Sequence, residues 1–149
     1  MGNTLNEDFV DLLITFNRNK VDYILVGGYA VIYHGYNRTT GALDIWVNPT
    51  SQNYRKMMQA FREFGLSPFN MTESLFLNAK ENNVFTFGRP PVCVDILTQV
   101  KGLDFNETFA NASIVPFDGL EVMMIDIRDL KSAKRAAGRP KDLDDLENL

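Results

Sequence analysis

Cysteine and histidine are nearly missing from this sequence of 149 residues, which contains one of each, Cys93 and His34. A single cysteine cannot form an internal disulfide, and the first residues are too acidic, with too short an apolar stretch, for a secretory signal. We therefore expect a cytoplasmic location. A lone imidazole does not build a transition-metal site, so we expect His34 to make a hydrogen bond from a helix and Cys93 to fill space.

Long apolar runs and an excess of basic residues are absent as well. The uninterrupted apolar stretches are a few residues long, far below the ~20 residues that cross a bilayer, which excludes a membrane-spanning segment. Lys and Arg number 15 and Asp and Glu 19, and the net charge of −4 provides no general positive field for polyanions. A nucleic acid such as tRNA would have to bind locally, so a small molecule or a protein is favoured as the partner.

The composition that remains is typical of one globular domain. Hydrophobic residues make up 45% of the chain and charged residues 23%, which predicts a single domain spanning 1–149 with its own core. Alternating apolar runs predict strands, and apolar residues at helical spacing predict helices, including C-terminal helices from about 127 to 149. Strands that alternate with helices, together with two hairpins, predict the α/β (α+β) class, a mixed β-sheet with helices mainly on one face.

A glycine pair closes the first strand-like run. Gly27 and Gly28 follow the apolar segment 23–26 and precede a helical stretch predicted over 29–35. Glycines at such a place allow a sharp turn and bring backbone N–H groups close to a phosphate, while the helix adds the positive end of its dipole. A glycine pair alone is more often only a tight turn, so a functional role requires partners.

Two aspartates lie in predicted strands that otherwise suit burial. Asp44 belongs to the run 43–47 and Asp95 to the run 92–98. Aspartate is depleted in strands and costly to bury, so this pair indicates a cation or a hydrogen-bond network. A Mg²⁺ ion that also bridges substrate phosphates would satisfy both carboxylates. Trp46 shares the predicted face of Asp44, where it is expected either to stack on a base or to wall the cleft.

Together these segments resemble the nucleotidyltransferase superfamily typified by DNA polymerase β. The resemblance rests on the glycine turn 26–31, the segment 38–41, and the acid-bearing strands 43–47 and 94–96. It is greatest for the small bacterial AbiEii-type toxins and minimal nucleotidyltransferases, whose C-terminal helical signature is similar to 131–146. The resemblance implies a nucleotidyltransferase fold, an NTP substrate and two Mg²⁺ ions in an intact site.

The same resemblance implies roles for individual residues. Asp44 and Asp95 would be the catalytic, metal-binding acids. The residues that would bind the nucleotide are Gly27, Gly28, Arg38 and Lys134, with Arg139 and Lys141 as further candidates to neutralise phosphate charge. Basic residues on exposed helices are usually only solvated, and Lys141 is placed to pair with Asp144 or Asp145 at helical spacing.

Position 42 departs from the family pattern. That pattern has two acids separated by one residue, and counting from Gly28 they should fall at positions 42 and 44, yet the first is Ala42. Pairing Asp44 with Trp46 instead would stretch the gap, so we place the missing acid at 42. Two acids then remain, which predicts weak or absent catalysis. The change is either natural divergence or a deliberate Asp-to-Ala substitution, and the intact remainder of the motif favours the second.

The function implied by the resemblance is transfer of a nucleoside monophosphate from an NTP to a hydroxyl, with release of pyrophosphate, within a toxin–antitoxin system. The acceptor is a tRNA, a protein or a small molecule, and a cognate toxin or antitoxin protein is a further expected partner. One alternative is an antibiotic-modifying nucleotidyltransferase of the lincosamide or aminoglycoside kind. Another is a non-catalytic binding module or antitoxin. An aspartate at position 42 in the native gene favours an enzyme, and an alanine favours the module.

Overall fold

The structure, a computed structural model, describes residues 5–68, 70–78, 84–89 and 92–149. Within these residues the chain forms seven helices and six strands. The helices are α1 (Glu7–Arg18), α2 (Gly27–Tyr33), α3 (Ser51–Phe64), α4 (Glu73–Leu77), α5 (Phe105–Asn111), α6 (Ile127–Ala137) and α7 (Pro140–Asn148). The strands are β1 (Tyr23–Val26), β2 (Leu43–Val47), β3 (Val84–Arg89), β4 (Val92–Leu97), β5 (Ser113–Phe117) and β6 (Leu120–Met124).

The six strands form one mixed sheet in the order β3-β4-β2-β1-β6-β5. Strand β2 runs parallel to β4 and β1 runs parallel to β6, whereas the other neighbours are antiparallel. The pairs β3–β4 and β5–β6 are the two hairpins expected from the sequence. The α/β class with a mixed sheet is therefore confirmed.

One face of the sheet is apolar and is covered by α1 and α3. In β2 the side chains of Leu43, Ile45 and Val47 point to this face and are fully buried. Phe16 of α1 and Phe61 of α3 meet edge to face above the sheet, with ring centroids 5.6 Å apart. Each helix presents an apolar stripe at helical spacing, so burying both stripes on the sheet creates the core.

The opposite face carries the polar residues of the central strands. Asp44 and Trp46 alternate with the core residues of β2, so both point away from α1 and α3. Trp46 is buried beneath α5, where Phe105 packs edge to face on the indole at 5.2 Å. The acid and the tryptophan thus share a face but lie in different surroundings.

Caps mark the ends of several helices. The side chain of Thr50 accepts a hydrogen bond from the backbone N–H of Asn53 at the start of α3, and Gly65 ends that helix in the left-handed conformation. Helix α6 ends in the same way at Gly138, after which α7 begins at Pro140. None of the helices in the described part of the chain has the length and apolar character needed to cross a membrane.

Two elements differ from the expectations. Helix α2 begins at Gly27 instead of after the glycine pair, because the positive φ of 69° at Gly27 turns the chain directly into the helix. Helix α4 was missed because its five residues are too few to show a helical period. Helix α7 begins at Pro140, shortly after α6 ends at Ala137, since proline is favoured in the first turn of a helix. The expected turn of the β3–β4 hairpin includes residues 90 and 91, which lie outside the described residues.

Candidate active site

Asp44 and Asp95 lie side by side on neighbouring strands. They are register partners in the parallel pair of β2 and β4, so their side chains point to the same face of the sheet. Asp95 lies close enough to Asp44 for its negative charge to act on that carboxyl. Thr86, opposite Asp95 on β3, donates its hydroxyl to Oδ1 of that acid at 2.7 Å. The sheet itself therefore brings the two acids together.

The environment of Asp44 disfavours its charged form. Burial raises the pKa of Asp44 to about 7, and the negative charge of Asp95 and the hydrogen bond with it act in the same direction. Lys134 and Lys141 oppose the shift but do not cancel it. A carboxyl pair of this kind gains when a proton or a cation lies between its oxygens, so the arrangement is receptive to positive charge.

The glycine turn packs directly against the first acid. Gly27 has a φ of 69°, and a Cβ at this position would overlap the carboxylate of Asp44. A Cβ at Gly28 would overlap the side chain of Thr40 in the same way. Both glycines are therefore required by close approach, and the first also by its backbone conformation. Helix α2 consequently starts within contact distance of Asp44.

An open cavity of about 480 Å³ lies at this turn. It is bordered by the start of α2, the segment 38–41, the beginning of β2, and the facing ends of α6 and α7. Most of the candidate site residues line it, namely Gly27, Gly28, Arg38, Asp44, Lys134, Arg139 and Lys141. Asp95 does not border the cavity and reaches it through its partner Asp44. Four cationic side chains therefore surround one side of the carboxyl pair.

Two of these cations share one acid of α7, Asp145. Arg38 binds Asp145 through two hydrogen bonds of 2.7 and 2.9 Å. Lys134 lies 2.9 Å from Asp145 and 3.4 Å from Asp142, and all three side chains are buried. The expectation of solvated basic residues is wrong for Lys134, because α7 folds back onto α6 and buries its ammonium group. Any phosphate at this place would meet cations held rigidly by these carboxylates.

The other two cations differ from each other. Arg139 donates through Nε to Asp142 at 2.7 Å, and this contact belongs to the start of α7. Lys141 is exposed at the rim of the cavity, and among the described residues it has no ion pair. The expected pairing of Lys141 with Asp144 or Asp145 is therefore wrong, since those acids point to Tyr36 and Arg38 instead. Lys141 is thus available to an anion.

The acids Asp142 and Asp145 are the functional residues that sequence reasoning missed. Although burial raises their pKa values, hydrogen bonds from Arg139, Arg38 and Lys134 hold both below the usual range of a carboxyl. They are fully buried and one helical turn apart, so they face the same neighbours. The sequence contains a signal for them, since two acids three residues apart follow a segment rich in basic residues. The same pattern is typical of an ordinary solvated helix face.

The singleton residues have structural surroundings. Trp46 is 1% exposed, so of its two expected roles the burial excludes stacking on a base and leaves that of a wall residue. Nε2 of His34 lies 2.7 Å from the carbonyl oxygen of Ile125, which confirms the expected hydrogen bond. Cys93 is half-buried. Burial is the main cause that raises the pKa of its thiol, and the negative charges of Asp95 and Asp44 raise it further.

The carboxyl pair fits one Mg²⁺ ion. Among the described residues, no group of three or more His, Cys, Asp and Glu side chains is placed to hold a metal. Asp44 and Asp95 nevertheless supply oxygen ligands in register, and Mg²⁺ is commonly bound by one or two carboxylates together with substrate phosphates. Ala42, just before β2, has no side-chain oxygen to contribute.

Comparisons with known proteins identify the family of the chain and a similar fold. Residues 4–149 match the family described as "Nucleotidyltransferase of unknown function (DUF6036)". The fold is similar to the crystal structure of the lincosamide antibiotic adenylyltransferase LnuA with lincomycin bound. That similarity has a TM-score of 0.56 at 15% sequence identity and covers 99% of this chain and 97% of that one. No curated protein sequence matches the chain.

Proposed function

Because the chain belongs to the nucleotidyltransferases of unknown function grouped as DUF6036, we propose that it is a minimal nucleotidyltransferase. It transfers a nucleoside monophosphate from an NTP to a hydroxyl acceptor in a Mg²⁺-dependent reaction, and it works in the cytoplasm. The acceptor is a tRNA, a protein or a small molecule. The family membership supports the reaction class, and the carboxyl pair beside the glycine turn supports a role for Mg²⁺.

The observation that carries this proposal is the contact between the glycine turn and Asp44. Gly27 brings the start of α2 against the carboxyl that pairs with Asp95. Backbone N–H groups and the carboxyl pair are thereby adjacent, as binding of a metal-bound triphosphate requires. A turn that only reversed the chain direction would not have to lie so close to Asp44 that a Cβ at Gly27 is excluded.

The residues divide the work of the reaction. Gly27 and Gly28 donate backbone N–H groups to the phosphates, and Lys141 adds an unpaired positive charge. Asp44 and Asp95 would hold Mg²⁺, which supplies Lewis-acid activation of the α-phosphate. The acceptor hydroxyl oxygen forms a bond to the α-phosphorus, the bond to pyrophosphate breaks, and Asp95 takes the hydroxyl proton.

The acids of α7 position two of the cations. Asp145 holds Arg38 and Lys134 at fixed distances, so these side chains are oriented before a substrate arrives. Preorganised charges stabilise a developing negative charge without a further cost of reorganisation. Arg38 and Lys134 therefore face the phosphates as cations whose positive charge is partly neutralised by Asp145.

The alanine at position 42 limits catalysis in this proposal. Two carboxylates suffice for one Mg²⁺, whereas the two-ion arrangement of the superfamily resemblance needs a third ligand. We therefore propose nucleotide binding with weak or absent transfer for the chain as it stands. We also propose that Ala42 replaces an ancestral or native aspartate. The chain would then be an AbiEii-type protein of a toxin–antitoxin system, with a cognate toxin or antitoxin as its partner.

Two other functions have specific support. The similarity to LnuA over nearly the full length of both chains favours an antibiotic-modifying enzyme of lincosamide or aminoglycoside type. The loss of one acid and the pairing of Arg38 and Lys134 with α7 favour a non-catalytic binding module or antitoxin. Identifying the acceptor distinguishes the antibiotic-modifying enzyme from the other enzymes. A gain of activity in Ala42→Asp distinguishes an enzyme from a binding module.

Restoring the acid tests the reaction. Ala42→Asp is incubated with Mg²⁺, each of the four NTPs and candidate acceptors, and pyrophosphate release and acceptor mass are measured. The enzyme proposal predicts pyrophosphate and an acceptor heavier by one nucleoside monophosphate, both absent in Ala42→Asp/Asp95→Ala. No gain over the unchanged chain would contradict the enzyme proposal and support the binding module.

A further inference from the structure

A second cavity lies on the same face of the sheet as the acids, at the carboxyl ends of the parallel strands. It measures about 660 Å³ and is bordered by the segments 48–49 and 98–106, which follow β2 and β4. Pockets that bind small ligands have volumes of about 300–1,000 Å³. In sheets with parallel strands, ligands commonly bind beyond the carboxyl ends of those strands. The cavity therefore has both the size and the location of a ligand site.

Trp46 connects this cavity to the acids. Trp46 is one of the residues that border the cavity, and it lies two residues after Asp44 on the same face of β2, about 7 Å along the strand. Its register partner on β4 is Leu97, just as the partner of Asp44 is Asp95. A molecule in the cavity would thus be one step along the strands from the carboxyl pair.

The indole N–H of Trp46 is buried and has no hydrogen-bond partner within the described part of the chain. Native proteins rarely leave a buried donor without an acceptor, so this atom calls for an explanation. The ring face does not offer a stacking surface, because the indole is 1% exposed and Phe105 packs against it edge to face. The donor edge is the part of Trp46 that remains unsatisfied.

The remaining lining combines polar and apolar side chains and carries no net charge among the described residues. Its charged members are Lys101 and Asp104, of opposite sign. Asp104 also caps α5 by accepting the backbone N–H of Glu107. Asn48 and Gln99 add amide groups. A lining with amides, an apolar wall and balanced charge suits a neutral ligand with several hydroxyl or amide oxygens.

We propose that this cavity binds the acceptor substrate, and that the acceptor is a small, neutral, polyhydroxylated molecule that offers an oxygen to the Trp46 N–H. This inference rests on the proposed function, since it assigns the acceptor class of the same reaction. A cavity of about 660 Å³ has the volume of a small-molecule site, which favours a small molecule over a tRNA or a protein. The absence of a stacking surface favours an acceptor over the nucleobase.

The sole tryptophan of the chain makes the site directly observable. In full-length ¹⁵N-labelled protein, the indole N–H of Trp46 gives one resonance, which is followed during titration without Mg²⁺ or NTP. The probes are methyl α-D-glucopyranoside, sucrose and N-acetylglucosamine, with ATP and tRNA as separate arms. We expect a saturable shift with at least one neutral probe. No shift with any of them, or a shift with ATP or tRNA alone, would overturn the inference.

Two variants test the contacts. Gln99→Ala removes an exposed amide at the cavity, and Gln52→Ala removes an exposed amide on α3 as the matched control. We expect Gln99→Ala to weaken the binding of the active probe about 3-fold or more, as loss of one hydrogen bond does, and Gln52→Ala to leave it unchanged. Trp46→Phe, followed by calorimetry, should weaken it about 5-fold or more. Unchanged affinity in both Gln99→Ala and Trp46→Phe would contradict the assignment.

The same titration in Asp44→Asn separates this inference from the proposed function. The cavity does not include Asp44, so the indole shift should persist there although the proposed metal site is lost. A persistent shift together with no nucleotide binding by the unchanged chain would contradict the proposed function alone. Nucleotide binding without any indole shift would contradict the acceptor cavity alone.

Discussion

Nζ of Lys134 lies 2.9 Å from Oδ2 of Asp145, and both side chains are almost completely buried. Arg38 binds the same carboxylate from the other side. We predict that Asp145→Asn destabilises the protein by about 3–5 kcal/mol, because it removes the counter-charge of Arg38 and the nearer of the two carboxylates that pair with Lys134. Urea denaturation at neutral pH measures the change in the free energy of unfolding.

The pH dependence of this effect has a defined sign. Burial raises the pKa of Asp145, but hydrogen bonds from Arg38 and Lys134 hold it below the usual range. Its stabilisation is therefore present above the ordinary carboxyl pKa of about 3.9 and is lost as the pH falls through the lowered pKa. Asp144→Asn, on the exposed side of α7, is the control. Equal losses in the two variants would contradict a buried network.

Asp44 should act in the opposite direction when no metal is bound. The pKa of Asp44 is raised from 3.8 to about 7, chiefly by burial, so the folded state keeps a proton that the unfolded state releases. This cost to stability is absent below pH 3.8, increases with pH, and is complete above about pH 7. Asp44→Asn removes it, and we predict a gain on the order of 2–4 kcal/mol at pH 8.

Unfolding measured in EDTA from pH 4 to pH 8 tests this prediction. The difference between Asp44→Asn and the unchanged chain should grow across that range. Asp11→Asn, an exposed acid of α1, controls for the general loss of a negative charge. A large loss of stability in Asp44→Asn would show that Asp44 is a structural hydrogen-bond acceptor, and its catalytic assignment would be wrong.

The turn at Gly27 should tolerate no side chain. Gly27→Ala introduces a Cβ that overlaps Asp44 and also forces a φ of 69° on alanine. Gly119 has a φ of 86° with open space around it, so Gly119→Ala measures the conformational cost alone. We predict that Gly27→Ala costs at least about 2 kcal/mol more than Gly119→Ala, because a buried overlap adds strain to the same backbone penalty. Similar thermal denaturation curves for the two variants would contradict the close packing of turn and acid.

The sequence predicts β2 and β4 well because each is a short, alternating run with one apolar face. The alternation of β2 and β4 places Asp44 and Asp95 each on a polar side. The alternation does not predict the register between β2 and β4, because that register depends on how the residues that connect the two strands pack. One residue of slip would turn an acid to the other face, so the observed register is information that local pattern lacks.

The C-terminal network shows the other limit of the sequence. Charged residues at helical spacing look the same whether a helix is solvated or packed. Asp142 and Asp145 become buried because Gly138 and Pro140 fold α7 back onto α6, which is a tertiary event. The sequence indicated Lys134 as a cation near phosphate, but the acids that hold it became apparent through this contact between helices.

Calorimetric titration of an NTP with and without Mg²⁺ tests the central claim most directly, namely that Asp44 and Asp95 hold a metal-bound nucleotide against the glycine turn. The chain as it stands is compared with Asp44→Asn and Asp95→Asn, and with Asp11→Asn as the control. The account predicts Mg²⁺-dependent binding that persists in the control and is lost in both site variants. NTP binding that is equal without Mg²⁺, or that survives in both site variants, would contradict it.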